Sequence, residues 1–228
     1  MTMGLQVAID GPASAGKSTV AKRVAKKFGY VYCDTGAMYR AVTLAALQQG
    51  LSMTDTERIS ELAKQIKITF QPAEPEQRVF INGQEVTRDI RLPKVAKNVS
   101  AVAAIPTVRQ EMAKQQRQIA AEGGIVMDGR DIGTTVLPHA PVKIFMVATA
   151  HERARRRYLE NKQKGITTTS LEELQRAIEL RDQKDSTRKV SPLTQASDAI
   201  RLDTTNLTID EVVAEISKII KKTEKHLA

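Results

Sequence analysis

Residues 11–18 read Gly-Pro-Ala-Ser-Ala-Gly-Lys-Ser and follow the apolar run Leu5-Gln6-Val7-Ala8-Ile9. In the spacing G-x-x-x-x-G-K-[ST], the two glycines let the backbone curl so that successive N–H groups point inward at an anion. Val20, Val24 and Phe28 then fall on one face of a helix over 18–28, whose N-terminal N–H groups and partial positive charge complete the cradle. Strand, loop and helix, with a further strand at Val31-Tyr32-Cys33, make a βαβ unit with a right-handed crossover. A chance glycine-rich turn would not need the strand before it or the amphipathic helix after it. The loop, Gly11, Pro12, Ala13, Ser14, Ala15, Gly16, Lys17, Ser18 and Thr19, is therefore read as holding a nucleoside triphosphate. Lys17 reaches the β/γ-phosphates and the Ser18 hydroxyl is placed for Mg²⁺.

The βαβ start predicts an α/β fold with a parallel sheet flanked by helices. Further strands are expected at Ile125–Met127, Val142–Val147 and Ala199–Leu202, all short and rich in aliphatic residues, as strands buried on both faces are. Helices are expected near 38–49, 105–122, 150–163, 171–184 and 208–222. Pro106 suits a first turn, Gly123-Gly124 a stop, and Thr208 with Glu211 a capping box. One region breaks the alternation: Ile66–Phe70 and Arg78–Thr87 read as antiparallel strands, with Asn82-Gly83 as a two-residue hairpin and Pro72 and Pro75 in the preceding loop. Residues 60–104 are accordingly read as an inserted small antiparallel-β subdomain, and 150–189 as a helical lid. The core then comprises 1–59, 105–149 and 190–228. Lys221-Lys222-Thr223-Glu224-Lys225 reads as a frayed tail.

The 228 residues suffice for one such core with extras. The single cysteine, Cys33, has no intramolecular disulfide partner, and His139, His151 and His226 form no metal constellation, which suits a reducing, cytoplasmic setting. No secretion signal opens the chain, and no apolar run approaches the roughly 18 residues that a bilayer span needs, so no membrane association is expected. A net charge of +9 raises nucleic acid as a partner. The chain has no Trp and only four Tyr and four Phe, none interleaved with its basic runs, whereas phosphate-rich small substrates account for the excess equally well. The densest basic cluster, Arg153 with Arg155-Arg156-Arg157, reads as a solvated helix face. No apolar stripe argues for assembly, and a monomer is expected.

Ligands bind at the carboxyl ends of strands in open α/β sheets. Those ends carry the phosphate loop, Asp34-Thr35-Gly36-Ala37-Met38-Tyr39-Arg40, and Asp128-Gly129-Arg130-Asp131-Ile132-Gly133-Thr134. Asp128 has the placement of a carboxylate holding Mg²⁺, directly or through water, with a helix- or turn-capping residue as the alternative. In Arg181-Asp182-Gln183-Lys184-Asp185-Ser186-Thr187-Arg188, the residues Arg181, Asp185 and Arg188 share one helix face, which suits a ligand site or an exposed, salt-bridged helix.

In this order and with the hairpin insertion, GPASAGKST, DTGAMYRA, DGRDIGT and ELRDQKDSTR resemble the bacterial cytidylate kinases, P-loop nucleoside monophosphate kinases, over residues 5–220. The resemblance implies transfer of the γ-phosphoryl of ATP to CMP or dCMP, giving the diphosphate and ADP, with Mg²⁺ in the site. It implies that Arg40 and Arg130 grip the acceptor phosphate and that Lys17, Arg130 and Arg188 neutralise developing charge. Ser100, Arg109 and Asp131 match the family's cytosine contacts, Arg181 and Asp185 lie near the sugar hydroxyls, and Thr35 joins the substrate contacts. Residues 60–104 would be the monophosphate-binding subdomain. Lys184 stands where relatives carry arginine.

A regulatory GTPase would need Asn-Lys-x-Asp, and Asn161-Lys162-Gln163-Lys164 lacks the final Asp. A nucleic-acid-dependent ATPase is favoured by charge and disfavoured by length and aromatic content. The nearest alternative is a kinase for another nucleoside monophosphate.

Overall fold

The computed structural model describes residues 4–74, 77–163, 165 and 169–227. The chain divides into two compact units, one formed by Met1–Tyr32 with Glu122–Ala228 and the other by Cys33–Ala121.

The first unit is built on a five-stranded sheet, whose strands lie in the order Val31–Asp34 (β2), Ile125–Gly129 (β6), Gln6–Asp10 (β1), Val142–Val147 (β7) and Ile200–Asp203 (β8). Strand β1 (Gln6–Asp10) lies between β6 (Ile125–Gly129) and β7 (Val142–Val147), parallel to both, with Ile9 opposite Asp128 on one side and Ile144 on the other. Strand β8 (Ile200–Asp203) pairs in parallel with β7, and β2 (Val31–Asp34) carries the chain into the second unit. Val7, Ile9, Val126, Ile144 and Met146 are wholly buried, which explains the unbroken aliphatic runs in the sequence. Helix α1 (Lys17–Phe28) lays Val20 and Val24 on this core, and α8 (Ile209–Leu227) adds Val212, Val213, Ile216 and Ile220. Each such buried side chain contributes about 1.5–3 kcal/mol by area. Helices α6 (Ala150–Gln163) and α7 (Leu171–Thr187) pack on each other. Both capping boxes close, Ser170 with Glu173 at α7 and Thr208 with Glu211 at α8.

The second unit opens with α2 (Thr35–Gln48) and α3 (Thr56–Gln65). Strands β3 (Ile68–Gln71), β4 (Arg78–Ile81) and β5 (Gln84–Glu85) form its antiparallel sheet. Helices α4 (Pro93–Val102) and α5 (Pro106–Ala120) complete it, and α2 packs on α4 while α3 packs on α5. At the hairpin, Asn82 and Gly83 have φ of 49° and 86°, so both adopt the left-handed conformation that a two-residue turn requires, and Ile81 faces Gln84. Of the two loop prolines, Pro75 lies outside the described residues.

The antiparallel sheet expected within 60–104 is present, and helix accompanies it there: the end of α3 and all of α4. Their apolar residues Ile59, Leu62, Ala63 and Val95, Val99, Val102 recur at helical spacing and are buried. One sequence expectation is corrected: the run 221–225 is not frayed, and α8 continues to Leu227. The reason is a contact distant in sequence. The Tyr30 hydroxyl accepts from the Leu5 N–H at 3.0 Å and donates to Glu224 Oε1 at 2.9 Å, tying the last turns of α8 to the start of β1. Among the described residues no helix is long and apolar enough to cross a membrane.

Replacing Tyr30 by Phe removes both bonds while keeping the ring. We expect a loss of about 1 kcal/mol in urea unfolding and faster amide exchange in the last two turns of α8. Unchanged exchange there would mean that packing alone holds those turns.

Candidate active site

The phosphate loop is shaped by contact with the neighbouring strand. Gly11 has φ +148°, and a Cβ there would stand 2.1 Å from the Met146 carbonyl oxygen on β7, so no other residue fits without moving the sheet. Gly16 caps α1 in the left-handed region without a side-chain hydrogen bond, which leaves the first-turn N–H groups of α1 for an anion. Lys17 is buried and donates from Nζ to the Pro12 carbonyl at 2.7 Å, inside its own loop. Burial and the nearby guanidinium groups of Arg130 and Arg181 hold the Lys17 ammonium well below the usual lysine range, against the pull of Asp128 and Asp10. Such a lysine is short of negative charge.

Beside the loop, Ser18 donates from Oγ to Asp128 Oδ2 at 2.8 Å, and Tyr32 donates from its hydroxyl to Asp128 Oδ1 at 2.8 Å. A hydroxyl and a carboxylate oxygen side by side are hard oxygen donors of the kind Mg²⁺ accepts together with phosphate oxygens and water. Among the described residues no three His, Cys, Asp or Glu cluster as a metal cage, and a magnesium that is shared with a nucleotide needs none. Asp128, at the end of β6, therefore fits the metal reading.

The stretch after β6 brings further predicted residues together. Arg130 donates from Nε to Asp185 Oδ2 at 2.9 Å. Arg188 lies 3.5 Å from Asp131 and 3.8 Å from Asp185, and donates from Nε to the Ser191 carbonyl at 2.6 Å. Asp131 and Asp185 are both buried. The exposed, salt-bridged helix weighed for Arg181, Asp185 and Arg188 is thus set aside. Arg188 caps α7 rather than lying within it, and Lys184 is exposed.

The remaining predicted residues belong to the second unit. Asp34 caps α2 through the Ala37 N–H at 2.9 Å and accepts from Arg40 Nη2 at 2.8 Å. Burial opposes its charge, yet Arg40, the Ala37 N–H and Arg91 together hold the Asp34 carboxyl below the usual carboxylate range. Arg40 Nε is buried with no acceptor among the described residues. Arg109 is buried, donates to the Ala103 carbonyl at 3.0 Å, and lies 5.1 Å from the Tyr39 ring centre, a cation–π stack. Thr35 is buried in the first turn of α2, and Ser100 is half-buried on α4.

Four residues escaped sequence reasoning. Arg153, expected on a solvated face, is buried: it donates from Nε to the Ala148 carbonyl and from Nη1 to the Ala13 carbonyl, each at 2.9 Å. Its partner Asp182 accepts from the Ala13 N–H at 2.9 Å. Tyr32 supports Asp128, as described. Asp10, the polar end of an apolar strand, accepts from the N–H groups of Ile132 and Gly133 at 2.8 and 2.7 Å, tying the Asp131 loop to the phosphate loop. Its place directly before Gly11 was the available signal.

Burial pushes the Asp10 carboxyl up to about 6, with Asp131 adding to the rise and the Gly133 and Ile132 N–H groups and Lys17 opposing it. Because the folded value lies above the unfolded one, Asp10 contributes stability that is full below about pH 4 and is lost as pH rises through about 6. A shift of this size amounts to about 3 kcal/mol. Relative to Asp10→Asn, the wild-type unfolding free energy should fall by up to that amount between pH 4 and 7. A difference independent of pH would show that Asp10 titrates normally.

Comparison with known proteins accords with this geometry. The family model described as cytidylate kinase matches residues 7–222. Cytidylate kinase of Limosilactobacillus reuteri is 79% identical over 228 residues, covering 100% of both chains. That of Limosilactobacillus fermentum is 69% identical over 225 residues, covering 99% of each, and that of Enterococcus faecalis 58% identical over 218 residues, covering 96% of each. A match spanning both units at such identity leaves one assignment: the chain belongs to the cytidylate kinase family.

Proposed function

We propose that this chain transfers the γ-phosphoryl group of ATP to CMP or dCMP, giving ADP and CDP or dCDP, as a cytoplasmic monomer. An oxygen of the acceptor 5′-phosphate attacks the γ-phosphorus in line, and the bond from that phosphorus to the β-phosphate oxygen breaks. With a second pKa near 6 the acceptor phosphate is largely ionised at neutral pH, so no general base is needed. Positioning and charge neutralisation then supply the catalysis. The phosphate loop carries this reading: Gly11 lies too close to the Met146 carbonyl for any side chain, Gly16 leaves the first-turn N–H groups of α1 for an anion, and the buried Lys17 stands beside them.

Residues 11–19 would cradle the ATP phosphates, with Lys17 at the transferred group. Ser18 and Asp128 would hold Mg²⁺, which would offset the negative charge of the phosphates. Arg130 and Arg40 suit the acceptor phosphate, since a guanidinium binds phosphate bidentately, and the Arg40 Nε without an acceptor supports that role. Arg188 would join Lys17 in balancing the transferred group. Ser100, Arg109 and Asp131 would read the base, Asp131 facing the cytosine N4 amino group. Uracil presents an acceptor there and would leave a buried carboxylate opposed. Arg181, Asp185 and Thr35 would complete the nucleotide contacts. In this reading 60–104 serves monophosphate binding and 150–189 acts as a lid that excludes water, a rival nucleophile.

ADP production with Mg-ATP and, separately, CMP, dCMP, UMP, AMP, GMP or no acceptor tests the reading. Turnover confined to CMP and dCMP is expected. Faster turnover with another monophosphate would refute the base assignment, and acceptor-independent hydrolysis would refute the kinase reading. Asp131→Ala is expected to reduce CMP-over-UMP selectivity by at least about tenfold with little change in ATP affinity; unaltered selectivity would remove Asp131 from base reading.

A further inference from the structure

Ala13, inside the phosphate loop, is gripped through both its N–H and its carbonyl by groups from the α6–α7 pair. Asp182 Oδ1 on α7 accepts from the Ala13 N–H at 2.9 Å. Arg153 Nη1 on α6 donates to the Ala13 carbonyl at 2.9 Å. The circle closes through an ion pair from Arg153 Nη1 to Asp182 Oδ2 at 2.5 Å, while Arg153 Nε is held by the Ala148 carbonyl at the end of β7. The Arg153 side chain is 7% exposed and that of Asp182 18%. An ion pair so shielded is geometrically demanding and weakly screened by salt.

The position of Asp182 on α7 gives the brace its significance. Arg181, the preceding residue, lies near enough to depress the Lys17 ammonium. One turn on, Asp185 takes the Arg130 guanidinium, and Arg188 caps the helix. A helix is a stiff rod over such a length, so a fixed point at Asp182 sets the axial position of all three. We infer that Asp182 and Arg153 are positioning residues that fasten α7 to the phosphate loop at Ala13, holding Arg181 and Arg188 in register with Lys17 for phosphoryl transfer. This rests on the kinase reading above, since it assigns the brace a task in that reaction. Displacement of reacting groups by about 1 Å lowers rate up to about a hundredfold without a matching loss of binding.

The test compares wild type, Asp182→Asn, Arg153→Lys and the double variant, each with Mg-ATP and CMP. Asp182→Asn is isosteric, and its fold is checked by thermal unfolding. We expect kcat to fall by about 10- to 100-fold while KM for ATP moves less than about threefold, because a misplaced helix still leaves the loop able to bind. The share of ATP hydrolysed rather than transferred should rise. Arg153→Lys keeps the charge and loses the fork, so it should show a smaller loss, and the double variant should be no worse than the poorer single one. Amide exchange at Ala13 should quicken in Asp182→Ala. Wild-type kcat in Asp182→Asn, or ATP binding tightened tenfold because the carboxylate competes with phosphate for the loop, would overturn the inference. A wild-type chain inactive toward CMP would overturn the functional reading instead, and Ala13 exchange would still decide whether the brace exists.

Discussion

Buried charge at the carboxyl ends of β1, β6 and β7 is the constraint on which the rest of this structure depends. Asp10, Lys17, Asp128, Asp131, Arg153 and Asp185 are each less than a tenth exposed. An isolated charge in such a place would cost many kcal/mol, so each must find a partner or shift its protonation. Asp10 finds two backbone N–H groups, Asp128 two hydroxyls, Asp185 the Arg130 guanidinium, and Arg153 two carbonyls and a carboxylate. Lys17 is the exception, since its charge is disfavoured by burial and by two arginines. The apolar strands supply the rigid floor on which this balance is set. A bound polyanion would supply the negative charge that Lys17 lacks.

The sheet was legible because strands buried on both faces leave a simple record. Val142–Val147 is read from the sequence with the bounds it has in the structure, and the Asn82-Gly83 hairpin follows from two residues that tolerate positive φ. What escaped was helical periodicity in short segments beside a strong hairpin. Val95, Val99 and Val102 lie four and three residues apart, but β-branched residues also suit strands, and no element was expected over 93–102. The last turns of α8 escaped for another reason. Glu224 is bonded to Tyr30, 194 residues away in sequence, and no local pattern records such a contact.

The site divides along the same line. Gly11, Lys17, Ser18, Asp128 and Arg130 declare themselves because each stands at or soon after the end of a strand and departs from its apolar pattern. Arg153 does not, because it sits among Arg155, Arg156 and Arg157 and only the fold decides which arginine turns inward. Arg153 reaches the phosphate loop, Arg156 reaches the Thr204 carbonyl, and Arg155 pairs with Glu152 at the surface. Composition treats the three alike. The partner that distinguishes Arg153 is a peptide unit 140 residues earlier.

Two buried lysines of the first unit show why burial and charge together do not identify a working cation. Lys143, on β7, donates to the Pro138 carbonyl at 2.5 Å and to Asp198 Oδ1 and Oδ2 at 2.9 and 2.7 Å. An ammonium has three donors, so Lys143 is fully committed to the fold. Lys17 gives one donor to Pro12, a partner within its own glycine-framed loop, and its pKa is held below the ordinary range by burial and by Arg130 and Arg181. The arginines differ again, because a guanidinium has five donors and can serve structure and ligand at once. Asp185 takes one donor of Arg130, and the Gly129 carbonyl a second, at 3.3 Å, leaving the planar fork both oriented and available. Donor capacity, counted against the bonds already made, separates the lysine that braces the sheet from cations with donors left for a ligand.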